Sequence, residues 1–157
     1  NDVFASCSED RTVKLWSINN PRHSIATISA HSDQVLSLDW NKYVQNQLVT
    51  TSSDKSIKVW DIRNHKHPVS MLGPFEFAMR RCKFSPYHQN ILAVSGYNMA
   101  ASVWDLSLGQ VVYVHDSHHE FVFGLDWSLF VPGQLTTCAW DEWVHVFNVS
   151  LPGRDTN

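Results

Sequence analysis

The chain has 157 residues, and its content of 43% hydrophobic and 17% charged residues is typical of a globular protein with one sizeable core. A formal net charge of −3 and scattered histidines form no basic stripe, which argues against nucleic acid as a partner. No apolar run reaches the roughly 18–20 residues that span a bilayer, and the N-terminal stretch lacks signal-peptide features, so we expect no direct membrane insertion.

Predicted strands follow one another along the chain, because apolar and polar residues alternate with a period of two. Near the N-terminus, "VFASCSEDRTVKLW" predicts two strands around a turn, and "SIATIS" predicts a third. Similar segments return as "SSDKSIKVWD", "GYNMAASVWD" and "AWDEWVHVFN", and the final predicted strand is "VHVFNV". The alternation places Ile57 and Val59 on one side of a strand and Lys58 on the other.

These segments form an internal repeat. Each segment has an aromatic residue near its C-terminal end. Successive aromatics are separated by 44, 44 and 43 residues, at Trp16, Trp60, Trp104 and Phe147. That spacing lies in the range of about 40–45 residues expected for a four-stranded propeller blade. A second signature, in "HSDQVLSLDW" and "HHEFVFGLDW", places a histidine nine residues before a tryptophan. The repeat therefore predicts a β-propeller architecture.

The repeated motifs resemble the WD-repeat β-propeller family, whose namesake dipeptide occurs at residues 60–61 and 104–105. In that family a histidine, a Ser or Thr, an Asp and a Trp form a hydrogen-bonded set inside each blade. The resemblance assigns this structural role to His31, Asp54 and Trp60, with Thr50 or Ser52 as the hydroxyl, and to His118 and Asp141 in the last segment. Phe75, Asn98 and Phe147 replace the expected His, Asp and Trp elsewhere, so those blades are expected to depend more on packing.

The resemblance implies an all-β fold, a WD-repeat β-propeller fragment of about three blades plus part of another from a seven-bladed propeller. Blade boundaries are predicted at residues 1–30, 31–73, 74–116 and 117–150, and residues 151–157 are predicted to form a C-terminal tail. Three blades cannot close a ring, since propellers use at least about four. In the family a strand from the N-terminal end of the chain often completes the last blade. An isolated piece would expose strand edges.

Three stretches are more specific, namely "HSDQVLSLDWNKY" with "NQLVTTSSDKSIKVWD", "HHEFVFGLDWSLFVPGQL" and "CAWDEWVHVFN". They resemble the WD-repeat receptors for the type-2 peroxisomal targeting signal. The resemblance implies a cargo receptor that is not an enzyme, needs no cofactor and cycles between cytosol and peroxisome. Its implied partners are a targeting peptide that folds as an amphipathic helix, a co-receptor protein and, indirectly, the docking machinery. Three widely spaced cysteines also favour a reducing compartment.

Such a peptide carries a basic residue and an apolar helical face, so its site needs carboxylates beside an apolar groove. Loops on one face of a propeller converge around the central channel. The candidate cargo-contact residues in those loops are Glu9, Asp33, Tyr97, Glu120, Trp140 and Glu142. A cation near Trp140 would gain about 0.5–2 kcal/mol from cation–π attraction. In "FVFGLDWSLFVPGQL", Phe123, Phe130 and Val131 are candidate contacts of the co-receptor, with core packing as the preferred explanation for Phe123.

Ordinary structural explanations compete with these assignments. Solvated carboxylates are common on protein surfaces, Tyr97 could cap the central opening, and Asp141 is best explained as a turn residue of the scaffold. A different WD-repeat scaffold, such as a ubiquitin-ligase substrate adaptor or a chromatin-associated adaptor, would share the blades but not the carboxylates. The two functions are distinguished by whether the four candidate carboxylates converge beside Trp140.

Neither a metal site nor a catalytic site is predicted. Histidines concentrate in "HKH" and "HDSHH", but no Cys-x-x-Cys or His-Glu-x-x-His spacing accompanies them. The sequence also lacks a nucleophile elbow, a phosphate-binding glycine loop and a dinucleotide fingerprint. Cys138 is expected to be a buried, inert strand thiol, although a pairing with His145 stays open.

Overall fold

A computed structural model describes residues 2–150, and the predicted tail at residues 151–157 lies outside the described residues. Within residues 2–150 every regular secondary-structure element is a β-strand, which confirms the predicted all-β class. The strands form four antiparallel sheets, which fit three to four propeller blades. The same part of the chain includes no helical segment with the length and apolarity that crossing a lipid bilayer requires.

The sheets follow the chain in order. The first contains β1 (Val3–Cys7), β2 (Thr12–Ser17) and β3 (Ala26–Ser29). The second contains β4 (Val35–Trp40), β5 (Gln47–Ser52), β6 (Ile57–Asp61) and β7 (Ser70–Leu72). The third contains β8 (Met79–Phe84), β9 (Ile91–Gly96), β10 (Ala101–Asp105) and β11 (Gln110–His115). The fourth contains β12 (Val122–Trp127), β13 (Gln134–Ala139) and β14 (Val144–Asn148). Strands that are consecutive in a sheet are hydrogen-bonded neighbours, as in a blade.

Aspartates shape the tight turns that precede β2, β6 and β14. Asp54 Oδ1 accepts hydrogen bonds from the Ser56 amide and hydroxyl at 3.0 and 2.6 Å. Asp10 and Asp141 accept the equivalent amide hydrogen bond two residues further on, at 3.0 Å in each turn. The residue after each aspartate has a positive φ, namely Arg11 (71°), Lys55 (66°) and Glu142 (69°). The repeated aspartate therefore holds a turn whose next residue lies in the left-handed region.

The hydrophobic core consists of three clusters, and each cluster lies between two successive sheets. The first joins Val13 and Ile28 of the first sheet to Leu48 and Trp60 of the second. The second joins Val49, Ile57 and Val59 to Met79, Cys82, Phe84, Leu92 and Val94 of the third sheet. The third joins Ile91, Ala93, Ala101 and Val103 to Leu125, Trp127, Leu135 and Val149 of the fourth. Apolar burial therefore holds each sheet face to face against its neighbour.

Several polar contacts between neighbouring sheets link residues about one repeat apart. Asp39 Oδ2 accepts a hydrogen bond from the Phe84 amide at 2.9 Å, and Trp127 Nε1 donates to Lys83 O at 3.1 Å. Tyr43 reaches from its loop to the next one and donates to Pro86 O at 2.7 Å. These bonds fix the position of each sheet along the strand direction of its neighbour. Loops at the same end of the strands therefore lie next to one another.

The expectation that Cys138 is buried is wrong, because its thiol is exposed. Side chains alternate along β13, so the buried Leu135 and Thr137 face one side of the sheet and Cys138 faces the other. Leu135 belongs to the core cluster shared with the third sheet. Cys138 therefore points away from that sheet.

Candidate functional site

A hydrogen-bonded network ties the loop before β4 to the interior of the second sheet. His31 Nδ1 lies 2.9 Å from Asp54 Oδ2, and His31 Nε2 lies 2.7 Å from Thr50 Oγ1. Trp60 Nε1 donates to the same hydroxyl at 3.0 Å. Of the two hydroxyls considered from the sequence, that of Thr50 joins this network. Ser52 Oγ instead accepts a hydrogen bond from the Asp54 amide at 3.0 Å.

The donors in this network follow from the carboxylate. An ionised Asp54 only accepts hydrogen bonds, so Nδ1 of His31 carries the proton and Nε2 accepts from the Thr50 hydroxyl. Burial lowers the pKa of His31, and the charge of Asp54 opposes that shift. Partial burial alone would raise the pKa of Asp54, but hydrogen bonds from Ser56 and Ser32 and the contact with His31 lower it to about 2. The network is therefore a satisfied structural unit.

The fourth sheet contains a related network with one member missing. His118 Nδ1 lies 2.8 Å from Asp141 Oδ2, and His118 Nε2 lies 2.9 Å from Thr137 Oγ1. Phe147 occupies the position of the indole and has no N–H to donate. Partial burial would raise the pKa of Asp141, but hydrogen bonds from His118 and from the Trp143 amide lower it to about 2. The Thr137 hydroxyl thus serves one partner where Thr50 serves two.

An open cleft of about 680 Å³ lies where the inner strands β4, β8 and β12 begin. Its lining includes Glu9, Gln34, Arg80, Tyr97, Phe123 and Trp140. Glu9 follows β1, Gln34 precedes β4, Tyr97 follows β9 and Trp140 follows β13, so all four sheets contribute to the lining. The cleft therefore lies where loops of successive repeats converge at one end of the strands.

Aromatic rings cover one side of this cleft. Phe123 and Trp140 are stacked, with centroids 4.4 Å apart and an interplanar angle of 17°. Tyr97 meets Phe121 and Phe123 edge-on at 5.2 and 6.2 Å, and Phe121 lies 5.8 Å from Trp140. Trp140 is nevertheless 63% exposed. The ring stack holds one indole face in a fixed orientation and leaves much of the indole available to a ligand.

Arg80 adds a positive charge that the sequence analysis did not anticipate. Its Cζ lies 5.4 Å from the centroid of the Phe123 ring, and its Nη1 donates to Leu36 O at 3.2 Å. A repeat alignment contains the missed signal, because Leu36, Arg80 and Phe123 are each the second residue of an inner strand. All three of these equivalent positions line the cleft.

The predicted cargo-contact residues divide into two groups. Glu9, Tyr97 and Trp140 line the cleft together. Asp33, Glu120 and Glu142 are exposed and are not among the residues that line it. They lie on turns next to the cleft: Asp33 precedes the lining residue Gln34, and Glu142 takes the left-handed position two residues after Trp140. One of the four predicted carboxylates therefore shares the cleft with Trp140.

Phe130 and Val131 lie at the opposite end of the strands, in the loop that follows β12. Phe130 is 92% exposed, and its amide and that of Val131 donate to Ser128 Oγ at 3.3 and 3.0 Å. A cavity of about 270 Å³ at this end is lined in part by Leu129 and by Lys83, which pairs with Asp126. The loop thus lies at the end of β12 and is separate from the cleft at the start of that strand.

Three histidines cluster beside the fourth sheet, with one ring nitrogen of each of His115, His118 and His145 within 4.8 Å of the others. His118 and His145 are stacked at 4.1 Å with an interplanar angle of 16°. Imidazole lone pairs lie in the ring plane, so two nearly parallel stacked rings do not direct theirs at one ion. Both nitrogens of His118 already contact Asp141 and Thr137. This arrangement favours a stacked, hydrogen-bonded array over a metal centre.

Burial lowers the pKa of His115, and the nearby His145 and His118 lower it further. His115 Nε2 lies 2.9 Å from His145 Nδ1, and its ring stacks on Phe147 at 3.9 Å. The second sheet has Lys58 and Trp60 at the positions of His145 and Phe147. His115 and His145 therefore lie beside the network of His118, Asp141 and Thr137, in which Phe147 replaces the tryptophan.

Comparison with known proteins gives one family match. Residues 1–17 and 22–61 match the family described as WD domain, G-beta repeat. No curated protein matches the chain significantly. WD repeats generally mediate binding to peptide or protein partners, and proteins built from them are generally non-enzymatic scaffolds. The matched segments cover the first sheet and strands β4 to β6 of the second, and the third sheet repeats the strand order of the second. The match and the four blade-like sheets together support a WD-repeat family for this chain.

Proposed function

We propose that this chain forms part of a cargo receptor that binds the N-terminal type-2 targeting signal of peroxisomal matrix proteins. In this proposal the receptor cycles between cytosol and peroxisome and acts with a co-receptor protein that brings the loaded complex to the docking machinery. The WD repeats provide the interaction scaffold. The observation that carries the proposal is the cleft that combines Glu9 with the exposed, ring-stacked Trp140.

The cleft suits the chemistry of such a peptide. A helical peptide with an apolar face needs a preformed apolar surface, which the stacked rings of Phe123 and Trp140 supply without ordering flexible side chains. Its basic residue needs a carboxylate, which Glu9 supplies in the same cleft. An indole 63% exposed in the free chain can bury a large area on binding, which is typical of a hot-spot residue.

The test is fluorescence anisotropy of a labelled type-2 targeting peptide, with and without co-receptor. Trp140→Ala is expected to weaken binding at least tenfold, about 1.4 kcal/mol. Trp143→Ala is the matched control, since Trp143 is similarly exposed at 65% but does not line the cleft. Glu9→Gln is expected to weaken binding of a peptide with its basic residue and to have little effect on a peptide in which that residue is Gln.

The outcomes separate clearly if all variants melt like the wild type. Equal losses for Trp140→Ala and Trp143→Ala would refute the assignment of the site to this cleft. No binding by the wild type, even with co-receptor, would refute the receptor function itself.

A second candidate is a WD-repeat adaptor, such as a substrate-recognition subunit of a ubiquitin ligase or a chromatin-associated adaptor. It is favoured by the finding that three of the predicted carboxylates, Asp33, Glu120 and Glu142, do not line the cleft. An adaptor would use the same aromatic surface for a different peptide. It predicts that binding lost in Trp140→Ala is not specific to a basic, amphipathic targeting signal.

A further inference from the structure

We propose that Arg80 determines specificity in the cleft by binding an acidic side chain of the peptide ligand. The ligand would then be dipolar, with a carboxylate at Arg80 and its basic residue at Glu9. The inference rests on the proposed function, because it assigns the ligand chemistry of the same cleft.

The orientation of Arg80 is fixed from two sides. Its guanidinium lies over the Phe123 ring, with Cζ 5.4 Å from the centroid, and Nη1 donates to Leu36 O at 3.2 Å. Phe123 is itself held by its stack on Trp140. A planar cation held on an aromatic face and by one carbonyl loses little further freedom when it binds an anion.

The charge of Arg80 is not neutralised by an ion pair among residues 2–150. The carboxylates that do form ion pairs there, such as Asp61 and Asp126, pair with Arg63 and Lys83. The field of Arg80 reaches the cleft wall: burial raises the pKa of Cys7, and the charges of Arg80 and its neighbour Arg81 oppose that rise. A half-buried cation in an open cleft attracts an anionic group.

Guanidinium geometry selects the kind of anion. Arginine has five N–H donors in a planar fork, and Arg80 uses one of them on Leu36 O. The remaining donors can bind a planar carboxylate as a bidentate pair, in which each charge-assisted hydrogen bond is roughly twice as strong as a neutral one. Glu9 lines the same cleft and would repel a second acidic group near it. The two charges therefore impose one direction on a peptide that carries both signs.

The experiment uses labelled type-2 targeting peptides with amidated C-termini and measures anisotropy with wild type, Arg80→Gln and Arg81→Gln. Glu is placed at each variable position in turn, and each Glu peptide has a Gln partner. At one position the Glu peptide is expected to bind wild type at least tenfold more tightly than the Gln peptide. Arg80→Gln should abolish that difference. Arg81→Gln changes the exposed neighbour, which does not line the cleft, and should retain it.

Three results would overturn the inference. If wild type binds the peptides but no Glu position differs from its Gln partner, Arg80 does not receive an acidic side chain, and the receptor function stands. If no amidated Glu peptide gains affinity through Arg80 but the same peptide made with a free C-terminus does, the carboxylate is the terminal one. If Arg81→Gln abolishes the difference as fully as Arg80→Gln, the effect is one of general charge. Failure of wild type to bind any peptide refutes the proposed function instead. The Glu–Gln comparison on wild type remains decisive even if Arg80→Gln does not fold.

Discussion

Replacing Thr50 by Val should destabilise the protein about twice as much as replacing Thr137 by Val. Thr50 is fully buried, and its hydroxyl donates to His31 and accepts from Trp60. Valine has nearly the same shape but neither function, so Thr50→Val leaves two buried polar groups without a partner. Each such group costs about 1–3 kcal/mol, which gives a loss of about 2–6 kcal/mol in the free energy of unfolding.

The fourth sheet supplies the matched comparison. The Thr137 hydroxyl contacts His118, and Phe147 offers no N–H, so Thr137→Val leaves one group without a partner. The expected loss is about 1–3 kcal/mol. Urea unfolding should report lower midpoints for both variants with an unchanged m value. If both variants lost the same free energy of unfolding, or Thr137→Val lost more, the number of buried polar groups left without a partner would not explain the difference.

Three further predictions concern pH, packing and thiol reactivity. Because burial lowers the pKa of His31 below its ordinary value of 6.5, its contribution to stability is complete above pH 6.5 and decreases as the pH falls below it. Asp54 and Asp141 have pKa values of about 2, against an ordinary 3.8, so stability decreases further between about pH 3.8 and 2. A melting temperature that stays constant from pH 7 to 5 would contradict the histidine assignment. Gly124→Ala should lower the melting temperature because its Cβ would overlap Cys138 Sγ, and Cys138→Ala in the same chain should restore it; a double variant as unstable as Gly124→Ala would show that the overlap is not the cause. A thiol reagent should modify the exposed Cys138 in the native state and reach Cys82 only on unfolding, since burial raises the pKa of Cys82 to about 12; peptide mapping after limited alkylation distinguishes them, and early labelling of Cys82 would count against this packing.

The architecture was predictable because the repeat places the same chemistry at the same structural position. The spacing of Trp16, Trp60, Trp104 and Phe147 predicts four segments, and each aromatic lies in the third strand of its blade or its equivalent. The burial of these rings was less predictable. Trp60 is 2% exposed in the core cluster between the first and second sheets, whereas Trp104 and Phe147 are half-buried at the equivalent positions.

The candidate site was predictable only in part. Glu9, Tyr97 and Trp140 could be grouped from sequence because they follow strands at equivalent positions of successive repeats. Arg80 was missed because an arginine in an alternating strand resembles an ordinary solvent-facing residue, and its ring partner Phe123 lies one repeat away. The histidine array was missed because its members are far apart in sequence. His115 lies in β11 and His145 in β14, so local spacing carries no signal of their contact.

The bonds between neighbouring sheets have a consequence for the folding reaction. Four of them link residues 43 to 48 positions apart, so docking a sheet through such a bond closes a loop of about one repeat. The entropy of closing such a loop costs about 3 kcal/mol plus a constant, nearly the same at every step. A chain with this contact pattern behaves as a linear array in which ordered sheets recruit their neighbours one at a time. Within residues 2–150 the second and third sheets each share core clusters with two neighbours, and the first and fourth with one. Amide hydrogen exchange in this chain should therefore be slower in the second and third sheets than in the first and fourth.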